Sequence, residues 1–301
     1  MVLTAPPDVT PLAIPRRRRF SIRSRGWAGE LAGLEFGDPD APVDVLFLHA
    51  NGFNAMTYHS ILAPLGERLH MLAIDQQGHG LSPQRSVAEG RPDWLDLRDD
   101  LLGLLDAIGA GPMVLSGHSM GGAVSVLAAA ERPEQVGALA LFDPVIVSLE
   151  TRARAREEGQ DNLLAAGAAR RRAVFPDRET AFKSYRGRGA FRTWPEQAVW
   201  DYVADGFRDR SDGMVELSCA PAWEASGFHA HGNDLSPAMR GITVPVRILR
   251  AEYASTCHVE TPEAFNLDNP DVTVTTIAGS THFLPIERGD LVRQTLLDLA
   301  G

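Results

Sequence analysis

A serine hydroxyl becomes a nucleophile when its backbone turns sharply enough to expose it and a base lies within reach. One segment of this 301-residue chain is written for that: Gly117-His118-Ser119-Met120-Gly121 has the form Gly-x-Ser-x-Gly. It sits between the apolar stretch MVLSG (113–117) and helical text running through 123–131. A strand-to-helix turn of this kind puts the serine in a strained conformation, tolerated only where the neighbours lack colliding side chains. Gly117, Gly121 and Gly122 meet that demand. The turn also aims the helix N-terminus and the Met120 N–H at the oxyanion that forms when a carbonyl is attacked. In a chain with 28 glycines a five-residue match means little alone; its place at a strand-to-helix junction gives it weight.

A second oxyanion donor has to come from another loop at the same sheet edge. His49-Ala50-Asn51-Gly52-Phe53 follows an apolar run directly, so the N–H of Asn51 or Gly52 is expected to face the oxyanion. His49 then reads as a buried histidine that ties the loop down. The base is His282, in Gly279-Ser280-Thr281-His282-Phe283, after the last apolar strand and before a closing helix at about 288–300. It follows both the nucleophile and the acid candidates, as the order serine, acid, histidine requires. His70, His229 and His231 lack that placement. His118 is expected to order the elbow and, with Phe53, Trp194, Trp223 and Phe283, to border the substrate.

These groups need a scaffold that brings loops far apart in sequence to one edge. VDVLFLH (43–49), HMLAID (70–75), MVLSG (113–117), ALALFD (138–143), VPVRILRA (244–251) and VTVTTIA (272–278) are short and nearly all apolar, as strands buried on both faces are. Helical patterns separate them. Asp93 can cap a helix whose leucines 97, 101, 102, 104 and 105 recur at three- and four-residue spacing until Gly109 ends it. Strand and helix in alternation mean an α/β fold with a parallel sheet, whose ligands gather at the carboxyl ends of the strands. Residues 20–36 suit a hairpin on the antiparallel side. Between 147 and about 241 the strand rhythm gives way to arginine- and alanine-rich helical text. The expected organisation is therefore a core of 1–147 and 242–301 with a helical cap inserted at 148–241.

Composition narrows the partners. The formal charge is -10, so nucleic acid and anionic membranes are disfavoured and a neutral small molecule is expected. No run of about eighteen apolar residues could span a bilayer. Residues 1–15 and the basic run Arg16 to Arg19 fail as a secretory signal, and that run reads as a solvated edge or strand lead-in. Cys219 and Cys257 lie in no metal-binding or dithiol pattern, so neither metal nor cofactor is expected. The protein reads as cytoplasmic, a monomer or homodimer.

Taken together, HANGF, DQQGHGLS (75–82), GHSMGG (117–122), FDPV (142–145) and GSTHFLPIE (279–287) resemble the α/β-hydrolase superfamily, in its esterase-like group. The resemblance covers both sides of the insertion. It implies an eight-stranded, mostly parallel sheet, a helical cap and hydrolysis without cofactor, with Asp75 and His79 serving as scaffold. It also exposes a gap. Members of the family usually carry their acid just after the seventh strand, where this chain reads Ala251-Glu252-Tyr253-Ala254-Ser255-Thr256. Two carboxylates can stand in. Asp143, 24 residues after Ser119, ends the sixth strand, where the similar haloalkane dehalogenases keep their acid. Glu252 is the reserve.

A serine nucleophile points to acyl transfer to water and away from dehalogenation or epoxide opening, which need a carboxylate nucleophile. The expected substrate is a carboxylic ester or related acyl compound. The alternatives are a carbon–carbon bond hydrolase on the same site and a non-catalytic ligand-binding protein, the latter motivated by the missing acid. The cap aromatics Phe182, Phe191, Trp194, Trp200, Tyr202, Phe207 and Trp223 are expected mostly to glue its helices together. Arg170, Arg171 and Arg172 read as a solvated helix face.

Overall fold

The computed structural model describes residues 12, 15–25, 27–109, 111–148, 150, 153, 154, 157, 161–230, 233–259 and 271–301. Most of the proline-rich start, and His231, lie outside them. Eight strands form the main sheet: β1 (Arg16–Ser24), β2 (Trp27–Phe36), β3 (Val45–Leu48), β4 (Met71–Ile74), β5 (Met113–His118), β6 (Val136–Phe142), and, beyond the insertion, β10 (Val246–Tyr253) and β11 (Val272–Thr281). Their spatial order is β1-β2-β4-β3-β5-β6-β10-β11. From β4 to β11 every pairing is parallel, while β1 pairs β2 and β2 pairs β4 antiparallel.

The central strands are buried on both faces because both faces carry helices. Along β3, Val45 and Phe47 enter one apolar cluster and Leu46 and Leu48 the other, the two-residue alternation of a pleated strand. Helix α2 (Leu95–Ile108) buries Leu97, Leu101, Leu104 and Leu105 against the second cluster. Each such side chain contributes roughly 1.5–3 kcal/mol by leaving water. Asp93 accepts the Leu95 N–H at 3.0 Å at the start of this helix, and Gly109, at φ 62°, closes it in the left-handed conformation. Helix α3 (Met120–Glu131) follows Ser119 and stops before Pro133. A short turn, α1 (His59–Leu62), precedes β4.

The arginine run lies on the sheet's edge strand. Arg16 and Arg18 both pair with Glu35 of β2, and Arg17 reaches into the insertion to pair with Asp205 at 2.7 Å. Charged side chains along an edge also discourage pairing with another chain.

The helices between β6 and β10 include α4 (Asp161–Ala169), α5 (Arg178–Tyr185), α6 (Glu196–Asp205), α7 (Pro221–His229) and α8 (Ser236–Gly241). The segment is not wholly helical. It carries a three-stranded sheet of β7 (Val174–Phe175), β8 (Phe207–Asp209) and β9 (Val215–Leu217), ordered β7-β9-β8 and antiparallel throughout. Its hairpin turns at Asp212-Gly213, where Gly213 takes φ +82°; that dipeptide is a turn signal in the sequence. Helix α8 falls within the range assigned above to the cap, yet Leu235 and Met239 pack into the cluster beneath α3, so by contact it sides with the sheet. The chain closes with α9 (Leu284–Glu287) and α10 (Gly289–Ala300).

Candidate active site

The carboxyl ends of β5, β6 and β11 bring three side chains into line. Ser119 stands at φ 55°, ψ −118°, a conformation that side chains rarely adopt. The turn is tight because its neighbours are glycines. A Cβ on Gly117 would lie 2.4 Å from the Gly121 carbonyl carbon, and one on Gly121 would lie 2.4 Å from the Leu48 carbonyl oxygen. His282 Nε2 is 3.0 Å from Ser119 Oγ, and His282 Nδ1 is 2.6 Å from Asp143 Oδ2.

Asp143, not Glu252, therefore meets the histidine. It too has positive φ, 41°, at the end of β6, where its N–H is bonded to the Leu249 carbonyl at 2.8 Å. Its carboxylate also accepts from the Ala251 N–H (2.9 Å), the Ser255 hydroxyl (2.5 Å) and the Thr256 N–H (3.1 Å). Burial alone raises its pKa, but the His282 hydrogen bond and charge, with Ser255 and Ala251, outweigh this and hold it below the usual carboxylate range. Ser255 and Thr256 occupy the segment where the family's acid is ordinarily found, so the gap in the sequence is filled by donors that orient the displaced carboxylate. Glu252 is exposed and accepts the Gly279 N–H at 2.7 Å, bracing the loop before His282.

The 49–53 loop lies against the start of α3, as the Gly121 contacts with Leu48 and His49 require. The Gly52 N–H is taken by His79 Nε2 at 3.1 Å, and the Phe53 N–H by the Ala50 carbonyl at 3.1 Å. Gly52 is thus removed as an oxyanion donor. The N–H groups of Asn51 and Met120 have no acceptor among the described residues. His49 is buried and neutral: its Nδ1–H donates to the Ala50 carbonyl and its Nε2 accepts the Gln76 N–H, while desolvation pushes its pKa down to about 4. The 75–82 segment is scaffold throughout. Asp75 accepts the Ala55 and Leu81 N–H groups at 2.8 and 2.9 Å, and His79 is lowered well below its ordinary value, chiefly by burial.

Of the residues expected to border a substrate, Phe53, Trp194 and Phe283 come together. Ring centroids are 5.1 Å apart for Phe53 and Trp194, and 5.7 Å for Trp194 and Phe283. Phe283 is next to His282, and the Trp194 indole N–H is buried without a protein acceptor. His118 and Trp223 do not join this aromatic group at its surface. Both are fully buried, Trp223 donating its N–H to the Gln77 carbonyl at 3.0 Å with Arg91 over its ring. His118 has both nitrogens engaged. Most aromatics of the insertion do pack on one another, Phe182 against Trp200 and Phe191 against Tyr185 among them. Arg171 departs from the solvated face expected of it. It is partly buried, paired with Glu224 and donating to the Tyr202 hydroxyl at 2.6 Å.

Among the described residues no group of three histidine, cysteine or carboxylate side chains could hold a metal ion, and no helix is long and apolar enough to cross a membrane.

A parallel sheet bearing a serine on a glycine-flanked turn defines a class, and the comparisons place the chain in it. The α/β hydrolase family model matches residues 45–295, and the chain belongs to that family. It is similar to 2-(acetamidomethylene)succinate hydrolase of Mesorhizobium japonicum, 29% identical over 242 residues, 80% of this chain and 81% of that protein. The lipase LipV of Mycobacterium tuberculosis is 38% identical over 117 residues, 38% of this chain and 42% of that protein. Among solved structures, that of E-2-(acetamidomethylene)succinate hydrolase aligns with a TM-score of 0.74 at 24% identity, covering 95% of this chain and 98% of the other. The protein is a hydrolase of this fold.

Proposed function

We propose that the chain hydrolyses a carboxylic ester or closely related acyl compound through an acyl-enzyme on Ser119. The observation that carries the reading is the unbroken alignment Ser119 Oγ–His282 Nε2 and His282 Nδ1–Asp143 Oδ2, at 3.0 and 2.6 Å. His282 accepts the Ser119 proton as the hydroxyl attacks the substrate carbonyl, and the buried negative charge of Asp143 stabilises the imidazolium that forms. The oxyanion accepts hydrogen bonds from the Met120 and Asn51 N–H groups. Collapse expels the alcohol, which takes its proton from His282 and leaves the acyl group on Ser119 Oγ. Water, deprotonated by the same histidine, then attacks the acyl-enzyme and releases the acid.

In this reading residues 1–147 and 242–301 are the hydrolase core, and 148–241 are a cap that selects the substrate. Phe53, Trp194 and Phe283 favour a partly apolar acyl or alcohol group beside the nucleophile. The Mesorhizobium relative's name specifies a succinate derivative, which is acidic. Here the partly buried cap cation Arg171 is already paired with Glu224, which supports a neutral substrate instead.

The test is hydrolysis of a chain-length series of p-nitrophenyl esters by the wild type and by Ser119→Ala at neutral pH without added metal. Turnover by the wild type alone is expected, with the preferred length sizing the pocket. Folded wild type that cleaves none of them but opens a vinylogous diketone would replace this reading with carbon–carbon bond hydrolysis. Failure on both, with no labelling of Ser119 by a fluorophosphonate, would leave a binding protein.

A further inference from the structure

The ring of His282 is held at Nδ1 by Asp143, with the Thr256 hydroxyl 3.5 Å from the same atom, but anchors at one nitrogen leave the ring free to pivot and carry Nε2 away from Ser119. A second anchor acts on its main chain. His118 Nε2 lies 2.7 Å from the His282 carbonyl oxygen, and His118 Nδ1 lies 2.8 Å from the Tyr58 hydroxyl. The Ala50 N–H in turn donates to that hydroxyl at 3.3 Å. Tyr58 and His118 are both fully enclosed, so water does not substitute for these partners.

Chemistry fixes every direction in this chain. A carbonyl oxygen only accepts, so His118 Nε2 carries the proton; Nδ1 is then an acceptor, and Tyr58 must donate to it. The phenol oxygen is left to accept from Ala50. A protonated His118 would have two donors and would oppose Tyr58, and burial and the neighbouring His282 charge keep this histidine neutral, with its pKa pushed down to about 3. The series Ala50, Tyr58, His118, His282 therefore joins three loops. They are the one offering the Asn51 N–H, the elbow that carries Ser119, and the one that carries the base.

From these contacts we infer that His118 and Tyr58 are positioning residues for the reaction: they hold the His282 main chain, and with it the imidazole, at the distance that proton transfer from Ser119 needs. Neither touches substrate. The inference rests on the serine-hydrolase reading above, since it assigns them to the geometry of its base. A packing role alone would be filled as well by an apolar ring of similar size; the two directed hydrogen bonds would not.

The experiment compares wild type, His118→Phe, His118→Gln and Tyr58→Phe by kcat and KM on one p-nitrophenyl ester and by the rate of Ser119 labelling with a fluorophosphonate. A small displacement of a reacting group can cost ~100-fold in rate, so His118→Phe should lower kcat and labelling by ~10–100-fold with KM within about twofold of wild type. His118→Gln, whose amide N–H can serve the His282 carbonyl, should recover part of that loss. Tyr58→Phe should fall less, and should add nothing when combined with His118→Phe, because the two act through one chain of bonds. An active, labelled wild type with full kcat in His118→Phe would overturn the positioning role and leave the serine mechanism standing. Wild type that neither turns over nor labels would overturn the mechanism and this role together. If His118→Phe does not fold, unchanged kcat in both His118→Gln and Tyr58→Phe overturns the role.

Discussion

The sheet edge that carries Ser119 and the inserted segment differ in what surrounds the side chains that face the nucleophile. At the edge, polar groups are fixed by several directed bonds each: the Asp143 carboxylate accepts four, and His49, His79 and His118 have both ring nitrogens engaged. In the insertion an extended set of rings packs on rings, and directed ties join it to the core, among them Arg17 to Asp205 (2.7 Å), Asn54 to the Tyr202 carbonyl (3.0 Å), Trp223 to the Gln77 carbonyl (3.0 Å) and Thr193 to Glu287 (2.6 Å). Hydrogen bonds constrain angle and distance, whereas apolar contact rewards area and is tolerant of direction. The difference teaches where change is cheap. Substitutions at the edge should act on kcat, and substitutions in the insertion on substrate choice.

Asp143→Asn puts the first half of that contrast under the greatest strain. The amide has nearly the same shape, but its NH₂ would face groups that are themselves donors, and the imidazolium loses its counter-charge. Loss of a triad carboxylate can cost ~10⁴ in turnover, and kcat should fall by that order while Glu252→Gln stays close to wild type. Steady-state kinetics on the two purified variants decides it. A larger loss in Glu252→Gln than in Asp143→Asn would move the acid to the rim and dissolve the contrast.

Trp194 tests the insertion. Its ring rests on Phe53 and Phe283, so Trp194→Ala should raise KM for the preferred ester about tenfold and shift the chain-length preference, since removing part of an apolar pocket is worth ~1–3 kcal/mol. Trp194→Phe keeps most of the ring and removes an indole N–H that has no protein acceptor, so both KM and stability should stay near wild type or improve. KM and kcat measured across the ester series check this. A fall confined to kcat in either variant would place Trp194 with the edge residues.

How much of this is legible in the sequence follows the same division. Strands buried on both faces announce themselves as unbroken apolar runs, and the serine and histidine by spacing and order. Asp143 is legible only by elimination: the usual place for the acid reads Ala254-Ser255, and a carboxylate closes the preceding strand. What does not show is who meets whom between loops. That His79 takes the Gly52 N–H, or that His118 turns away from the pocket toward Tyr58, depends on contacts 27 and 60 residues apart in the chain, for which composition holds no signal. The hairpin in the insertion is a different case. Asp212-Gly213 flanked by short apolar alternation is a turn signal, outweighed there by the helical text around it. Arg171 looks like its neighbours Arg170 and Arg172, and it is Glu224 and Tyr202, 53 and 31 residues on, that draw it partly inside.

The smallest expected effect concerns stability, and it separates the two regions without any assay of activity. His49 and His118 are buried neutral, with pKa values pushed down to about 4 and about 3 from the ordinary 6.5, chiefly by desolvation. An unfolded chain takes up protons at these histidines as pH falls through about 6.5, and the native state does not, so their contribution is complete above that pH and is lost on the way down. Each can cost up to about 1.4 kcal/mol per pH unit in that window. These histidines therefore pull the urea midpoint down from pH 7 to pH 5, against the opposite pull of Asp75 and Asp100, whose pKa values burial raises to about 7 and about 6. His118→Phe removes one of these histidines, so its midpoint should fall less, or rise more, than that of the wild type, whatever its stability at pH 7, while Trp194→Phe should keep the wild-type slope. Equal slopes for wild type and His118→Phe would mean that His118 accepts a proton in the folded protein, and its directed bond from Tyr58 could not then be as described.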